Sequence, residues 1–310
     1  MVVMVQVVFV LSILLILKMT TALKVFNHVL QSSLLSTLDV SLTNTFGSDH
    51  YLFDRNEVPR GAAEMAVNSI LQALDDQSRF VELWWRSNWI SLDAHQDIDE
   101  KLAREQGSDC KEEYHYPENG HVLYLDTGNS AMEGSTIIFK DKEGESYTCG
   151  DVHRFEEAVA CPPLPGRLLR FGGEEYHAVV RPALSYFEPH CFELFLNSRQ
   201  KEPPEYRRSV LLFNTWKERP LVEQRVPIDG ETDGVAPGPW PVSMKEVTVA
   251  KLGSASKHKG RRMKVGLLGD ARRRGLNKSL FLELQAHVSD EDLDRIQSTR
   301  DPVSWPISAP

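Results

Sequence analysis

Apolar residues recur along the chain with two different periods. Between residues 60 and 76, Ala62, Ala63, Met65, Ala66, Ile70, Leu71 and Leu74 fall at helical spacing, which predicts a helix with one buried face. The stretch Arg79 to Arg86 (RFVELWWR) is β-branched and aromatic and predicts a strand. Ser87-Asn88 reads as a turn, and Trp89 to Leu92 as a second short strand. Trp84, Trp85 and Trp89 either pack a core or line a pocket. From His95 onward, short apolar runs recur between polar turns: His121–Leu125, Ser135–Phe139, Arg167–Phe171, His177–Val180 and Ser209–Phe213. Such runs, separated by Gly, Asn and Asp, predict a sandwich or barrel. Residues 24–50 show neither period. Asn44–Asp49, Glu202–Glu205 and Ile228–Trp240 read as loops. The last of these holds Gly230, Gly234, Pro237 and Gly238 and marks a boundary, after which residues 228–310 form a C-terminal extension. Within the extension, Met263–Asp270 reads as a strand and turn. Phe281–Val288 reads as a further strand or short helix packing on the barrel, and Ile296–Pro310 as a loose tail.

The N-terminus breaks the pattern. Met1 to Leu17 contain two polar side chains, Gln6 and Ser12, before Lys18 ends the run. A run of about 17 apolar residues sits at the short limit of a membrane span and exceeds the core of an ordinary signal peptide. Thr20-Thr21-Ala22 supplies small residues for cleavage, although a basic leader is missing. We therefore expect residues 1–22 to be a signal peptide or a signal anchor. The protein would then enter the secretory pathway, in the endoplasmic reticulum or Golgi lumen or held at the membrane through residues 1–17. The alternative is a buried helix of the fold. An oxidising compartment would let Cys110, Cys149, Cys161 and Cys191 form two disulfides in one of three pairings; isolated buried thiols are the other reading. Asn277-Lys278-Ser279 is a glycosylation sequon.

Composition sharpens this reading at one point. With 310 residues, 41% hydrophobic and 25% charged, the chain is neither disordered nor fibrous and is long enough to bury a full core. Its net charge of −9 argues against nucleic acid as a partner. That average conceals an asymmetry: residues 245–278 carry 11 Lys/Arg and two acids, leaving −18 on the rest. The basic segment is either a solvated face docked on its own acidic body or a patch for an anionic partner.

The chemistry begins at His95-Gln96-Asp97. On extended backbone, residues two apart point the same way, so His95 and Asp97 can reach one ion. His177, on a distant strand, can supply a third ligand. Two histidines and a carboxylate on one face of an octahedron leave positions open for substrate, the arrangement of non-haem Fe(II) oxygenases; a closed structural zinc site wants four ligands. Farther along, Arg207 and Ser209 share a strand face while Arg208 points away, which selects Arg207 as the fork for a carboxylate. Arg181, nearer to His177, is its rival.

Five pieces in order carry a family resemblance: His95-Gln96-Asp97, Val122-Leu123-Tyr124-Leu125-Asp126, Gly134-Ser135-Thr136-Ile137-Ile138-Phe139, Pro165-Gly166-Arg167-Leu168-Leu169-Arg170-Phe171 leading to His177, and Arg207-Arg208-Ser209. The set resembles the Fe(II)- and 2-oxoglutarate-dependent oxygenases, especially their prolyl 4-hydroxylase-like branch, over residues 79–219. The resemblance implies a mainly β (α+β) fold, a double-stranded β-helix or jelly-roll core within an oxygenase domain at 23–227, preceded by a helix and followed by the extension. It implies Fe(II) on His95, Asp97 and His177, and 2-oxoglutarate as cosubstrate with its far carboxylate on Arg207, Ser209 and Tyr124. Ascorbate would support turnover. Molecular oxygen and a peptide, protein or small-molecule substrate are the implied partners, with hydroxylation of a peptidyl proline or another protein residue as the activity. Two departures stand out: the acidic segment Lys101–Glu118 stretches the gap before Tyr124, and Leu184–Tyr206 is an insertion. The reading from a different class is a non-catalytic jelly-roll module that binds a protein or polyanion through the basic extension.

Overall fold

Strands that alternate between two layers build this chain. A computed structural model describes residues 23–45, 50–88, 92–106, 114–127, 134–141, 155–180, 207–221, 238–254, 260–267 and 280–308. In chain order the elements are β1 (Lys24–Asn27), α1 (Ser32–Thr45), β2 (Tyr51–Asp54), α2 (Ala62–Ala73), β3 (Phe80–Asn88), β4 (Leu92–His95), α3 (Glu100–Gln106), β5 (Asn119–Asp126), β6 (Ser135–Asp141) and β7 (Phe155–Cys161). There follow β8 (Leu168–Gly172), β9 (Tyr176–Val180), β10 (Arg207–Trp216), β11 (Lys245–Glu246), β12 (Ala250–Lys251), β13 (Arg261–Leu267), β14 (Leu280–Ala286), α4 (Asp290–Ser298) and β15 (Val303–Ser308).

One sheet runs β11-β1-β8-β5-β10-β3-β2, and the other contains β13-β4-β9-β6-β7. From β3 to β10 the chain alternates between them, with β6 and β7 consecutive in the second sheet. This is the winding of a double-stranded β-helix, as the resemblance implies. The period-2 pattern explains the layering. On β3, Val81, Leu83 and Trp85 join Leu123, Leu125, Leu211 and Phe213 in a core covered by α1 and α2, through Leu38, Leu42, Ala66 and Ile70. The opposite face looks into the β-helix, where Val122, Tyr124, Ile138, Val159 and Val210 meet. The segment 24–50 thus supplies β1 and the covering helix α1; Asn44 and Thr45, expected to begin a loop, end that helix, and 46–49 lie outside the described residues.

The C-terminal stretch behaves differently from the expected appendage. β13 pairs in parallel with β4 through Leu267 and Ala94, β14 pairs with β13 and β15, and β15 pairs antiparallel with β7. The second sheet therefore closes into a ring of seven, β4-β9-β6-β7-β15-β14-β13, with β12 added on β15. Closure removes exposed strand edges. Inside the ring, the small residues Ala94, Ala158, Ala160 and Ala178 leave room for Trp305, Met263, Leu284 and Ile307. The expected loose tail from 296 is corrected on the same ground. It contains the end of α4, whose Ser289 N-cap accepts from the Asp292 N–H in a capping box, and a strand whose Trp305 is 0% exposed. Arg167, also buried, ties this end down by donating to the Arg300 and Pro162 carbonyls at 2.8 and 2.7 Å, while its Nε donates to Asn27.

Among the described residues no helix is long and apolar enough to cross a membrane. The apolar run 1–22, Cys110, Cys149, Cys191, Asn277 and the insertion 184–206 lie outside the described residues; Cys161 is a buried free thiol, its pKa pushed up to about 11 by burial. If β15 is structural, Trp305→Ala should lower unfolding free energy by about 3–5 kcal/mol. A change near zero in urea denaturation would fit a tail and contradict this packing.

Candidate metal centre

Two histidines are set opposite each other by strand register. His95 ends β4 and pairs directly with His177 on β9, and their rings stand 4.3 Å apart. Both use the same local device. His95 Nδ1 lies 2.8 Å from the Asp93 carbonyl and His177 Nδ1 lies 3.2 Å from the Glu175 carbonyl, each two residues back. A proton on Nδ1 donates to that carbonyl and leaves Nε2 as the free lone pair. Asp97, just beyond β4, comes to 3.9 Å from His95 Nε2 and 3.6 Å from His177 Nε2. The ligand atoms of all three residues lie within 4.8 Å of one another.

The surroundings set the charge state. Burial is the main cause that pushes His177 down, to about 4, with His95 adding to it. It is therefore a neutral imidazole at physiological pH, as a metal ligand must be. For Asp97, burial pushes the carboxyl up, but His177, His95 and the Asn214 hydrogen bond together outweigh it and hold it below its ordinary value. Asn214, on β10 of the facing sheet, donates Nδ2–H to Asp97 Oδ2 at 3.1 Å. The ring of Phe171 packs 4.8 Å from His177 and screens it from water. Two imidazole nitrogens and one carboxylate are a donor set that fits Fe(II), and no fourth protein ligand closes the cluster among the described residues.

Of the three residues expected to hold the cosubstrate's far carboxylate, Ser209 points elsewhere. Ser209 is buried on the helix side of β10, where its hydroxyl donates to Asp39 of α1 and accepts from Trp85 Nε1 at 2.9 Å. It does not face Tyr124. The basic group that does is Arg208: Nη2 donates to Thr136 Oγ1 at 3.1 Å, and the guanidinium lies 5.2 Å from the Tyr124 ring centre. Tyr124 itself is buried, with its hydroxyl 2.7 Å from Thr136 Oγ1. The physical reason is alternation. Asn214 and Val210 face the interior, so Arg208 does too, and Ser209 takes the other face. An irregularity in the β10 pairings between Arg207 and Val210 interrupts the register at this point. Arg207 begins β10, but its side chain lies outside the described ones, as does the whole of Arg181. Burial holds the Arg208 guanidinium below its ordinary pKa, and its buried Nε has no hydrogen-bond partner. An inward, underbonded guanidinium beside two hydroxyls is a cradle for a carboxylate.

No family model matches the sequence, and no curated protein matches it. The fold is similar to that of several solved structures. One is a prolyl-4-hydroxylase from Pseudomonas putida, 15% identical over 63% of this chain and 84% of that one, with a TM-score of 0.34. Another is HygX from Streptomyces hygroscopicus with nickel, 2-oxoglutarate and hygromycin B bound, 13% identical over 73% and 94%, with a TM-score of 0.37. A third is the non-haem α-ketoglutarate-dependent epimerase SnoN from nogalamycin biosynthesis, 9% identical over 68% and 89%, with a TM-score of 0.35.

The residues missed from the sequence are Arg208, Thr136 and Asn214. Thr136 sits inside the Gly134–Phe139 motif and could have been read from it; Asn214 carries no local signal. The geometry gives Asn214 a measurable role. Asn214→Ala should weaken binding of Ni(II) or Mn(II) by roughly 10- to 100-fold with little loss of thermal stability. Unchanged metal affinity by calorimetry would show that Asp97 orients itself.

Proposed function

We propose that the chain is an Fe(II)- and 2-oxoglutarate-dependent dioxygenase that hydroxylates a C–H bond, with a peptidyl proline or another protein residue as the substrate class. The observation that carries the reading is the convergence of His95, Asp97 and His177 on one point of the β-helix interior, opposite a buried Arg208 with unused hydrogen-bonding capacity. When bound, Fe(II) with its keto-acid cosubstrate supplies the oxygen activation that no side chain provides.

The chain's own residues do the rest. His95 and His177 offer Nε2 because their Nδ1 protons are held by the Asp93 and Glu175 carbonyls. Asp97 adds the single negative charge, turned toward the histidines by Asn214. Arg208, with the Thr136 and Tyr124 hydroxyls, holds the far carboxylate of 2-oxoglutarate. This pocket is dry, so the ion pair formed there gains from a low local dielectric. Val122, Ile138, Val159 and Val210 pack together with Tyr124 in the β-helix interior and exclude water there. The apolar residues 1–17 support a secretory location and hence an extracellular or lumenal protein substrate.

The test is succinate release from 2-oxoglutarate with Fe(II) and ascorbate across a peptide and metabolite screen. Asp97→Ala and His95→Ala should each abolish it, by more than about 10²-fold. Turnover that survived either change would overturn the metal assignment. Arg208→Met should raise the Kd for 2-oxoglutarate by at least about tenfold in the Ni(II)-loaded protein, because one charge-assisted pair at a dry site carries about 1.5–3 kcal/mol. If Arg207→Met did this and Arg208→Met did not, the anchor would belong to Arg207.

A further inference from the structure

The interior face of β3 carries opposite charges at its two ends. Glu82, Trp84 and Arg86 alternate with Val81, Leu83 and Trp85, which belong to the helix-side core. Glu82 stands across from Asn214, the residue that holds Asp97, and Trp84 across from Leu212. Arg86 stands across from Val210, toward Arg208, and its positive charge is felt by Arg208 and Asp97 alike. Four strand positions, roughly 13 Å, separate Glu82 from Arg86. One end of this face suits an anion, and the other presents a carboxylate.

That carboxylate has an unusual occupant. Glu82 is 8% exposed, and its Oε1 lies 2.7 Å from Nδ1 of His50, which is 47% exposed. The imidazole lies flat on Trp84, with ring centres 4.8 Å apart and planes 11° off parallel. A planar nitrogen donor thus comes from the solvent side, stacks on an indole and directs its N–H at a buried acid beside the metal ligands. At the other end a divalent metal, Asp97, a dianionic cosubstrate and Arg208 sum to zero, and Arg86 adds one positive charge. Glu82 is left with His50 as its hydrogen-bonded base among the described residues.

We propose that Glu82 and Trp84 form a substrate subsite for a cationic nitrogen group, a guanidinium or ammonium, and that the His50 ring fills this subsite until such a group displaces it. The proposal rests on the oxygenase reading above and adds the charge of the substrate to it. A cation stacked on Trp84 gains from the indole face as well as from the acid, more so where water is excluded. His50 reduces the apparent affinity by occupying the same place, so its removal tightens binding.

Calorimetry on the full chain loaded with Ni(II) and 2-oxoglutarate tests this, with N-acetylarginine amide and the neutral N-acetylcitrulline amide as paired probes. The arginine probe should bind at least about tenfold more tightly than the citrulline probe. Glu82→Gln should erase that preference, and His50→Ala should strengthen arginine binding about fivefold. Equal affinity for the two probes, a preference that survives Glu82→Gln, or no arginine binding to a loaded His50→Ala protein would each overturn the proposal. A chain that takes up neither Ni(II) nor 2-oxoglutarate overturns the oxygenase reading and this one with it. A loaded chain without cation preference overturns this one alone.

Discussion

One cross-strand pair governs the site. His95 and His177 can share an ion because β4 and β9 hold them in register, and a slip of one residue would turn His95 into the alanine-lined core on the other face. β4 is only four residues long, and its pairing with β9 is irregular between Leu92 and His95, so that strand pair fixes little by itself. The register is secured by neighbours instead. Ala94 is fully buried against the ring core and pairs with Leu267 of β13, while Asp97, just beyond the strand, is caught by Asn214 from the opposite sheet. The metal ligands are thus clamped between both sheets, and the two matching Nδ1 contacts fix the ring tautomers without any further residue.

This places a functional demand on the C-terminal strands. Without them β4 would be the edge of its sheet, with one neighbour and an exposed outer face. β13 gives it a second neighbour, and β15 closes the ring from the far side through β7. The closeness of that contact shows at Gly266: a Cβ there would lie 2.5 Å from Asp93 Oδ1, two residues before His95. A larger residue here would have to push the Asp93 carboxyl aside, so it is the approach of β4 and not the backbone angle that favours glycine. The outer face of the second sheet reads as alanine at four positions because a tryptophan and long aliphatics fill the space from the other side of the ring.

How far the sequence could be read follows from the range of the interactions. The helix at 62–73 and the β-helix strands were legible because their burial follows a local period. The clustering of the three candidate ligands was legible because residue type, order and a two-residue spacing survive translation into geometry. The closed ring was not, since nothing local links residues 303–308 to residues 155–161. Arg207 was chosen by applying strict alternation at the start of a strand, with Ser209 taken as the guide to the inward face. That rule was sound; its anchor was not. Ser209 is occupied by Asp39, some 170 positions earlier in the chain, and no local signal marks that partner. Asn214, five residues farther along and turned toward Asp97, marks the inward face, and Arg208 shares it.

The same alternation accounts for much of the charge asymmetry. On β13 Arg262 and Lys264 are exposed and alternate with Met263 and Val265, which point into the ring, while Arg261 is exposed because it begins the strand. Arg261 pairs with Asp290 at the first turn of α4. A strand that must bury one face inside a ring has to put its other face in water, and basic side chains serve that purpose while discouraging further strand addition. The basic character of 261–264 is therefore what a solvated outer face requires, and needs no anionic partner to explain it. The charges that do call for a ligand are fewer and lie inside. Arg208, whose Nε has no hydrogen-bond partner among the described residues, and Glu82, held by a half-exposed imidazole, both lie on the inward face of their sheet, as does Asn214, which holds the candidate ligand Asp97. Interior charge is costly to maintain, so these few residues carry more functional information than the exposed Lys245, Lys251, Arg261, Arg262 and Lys264.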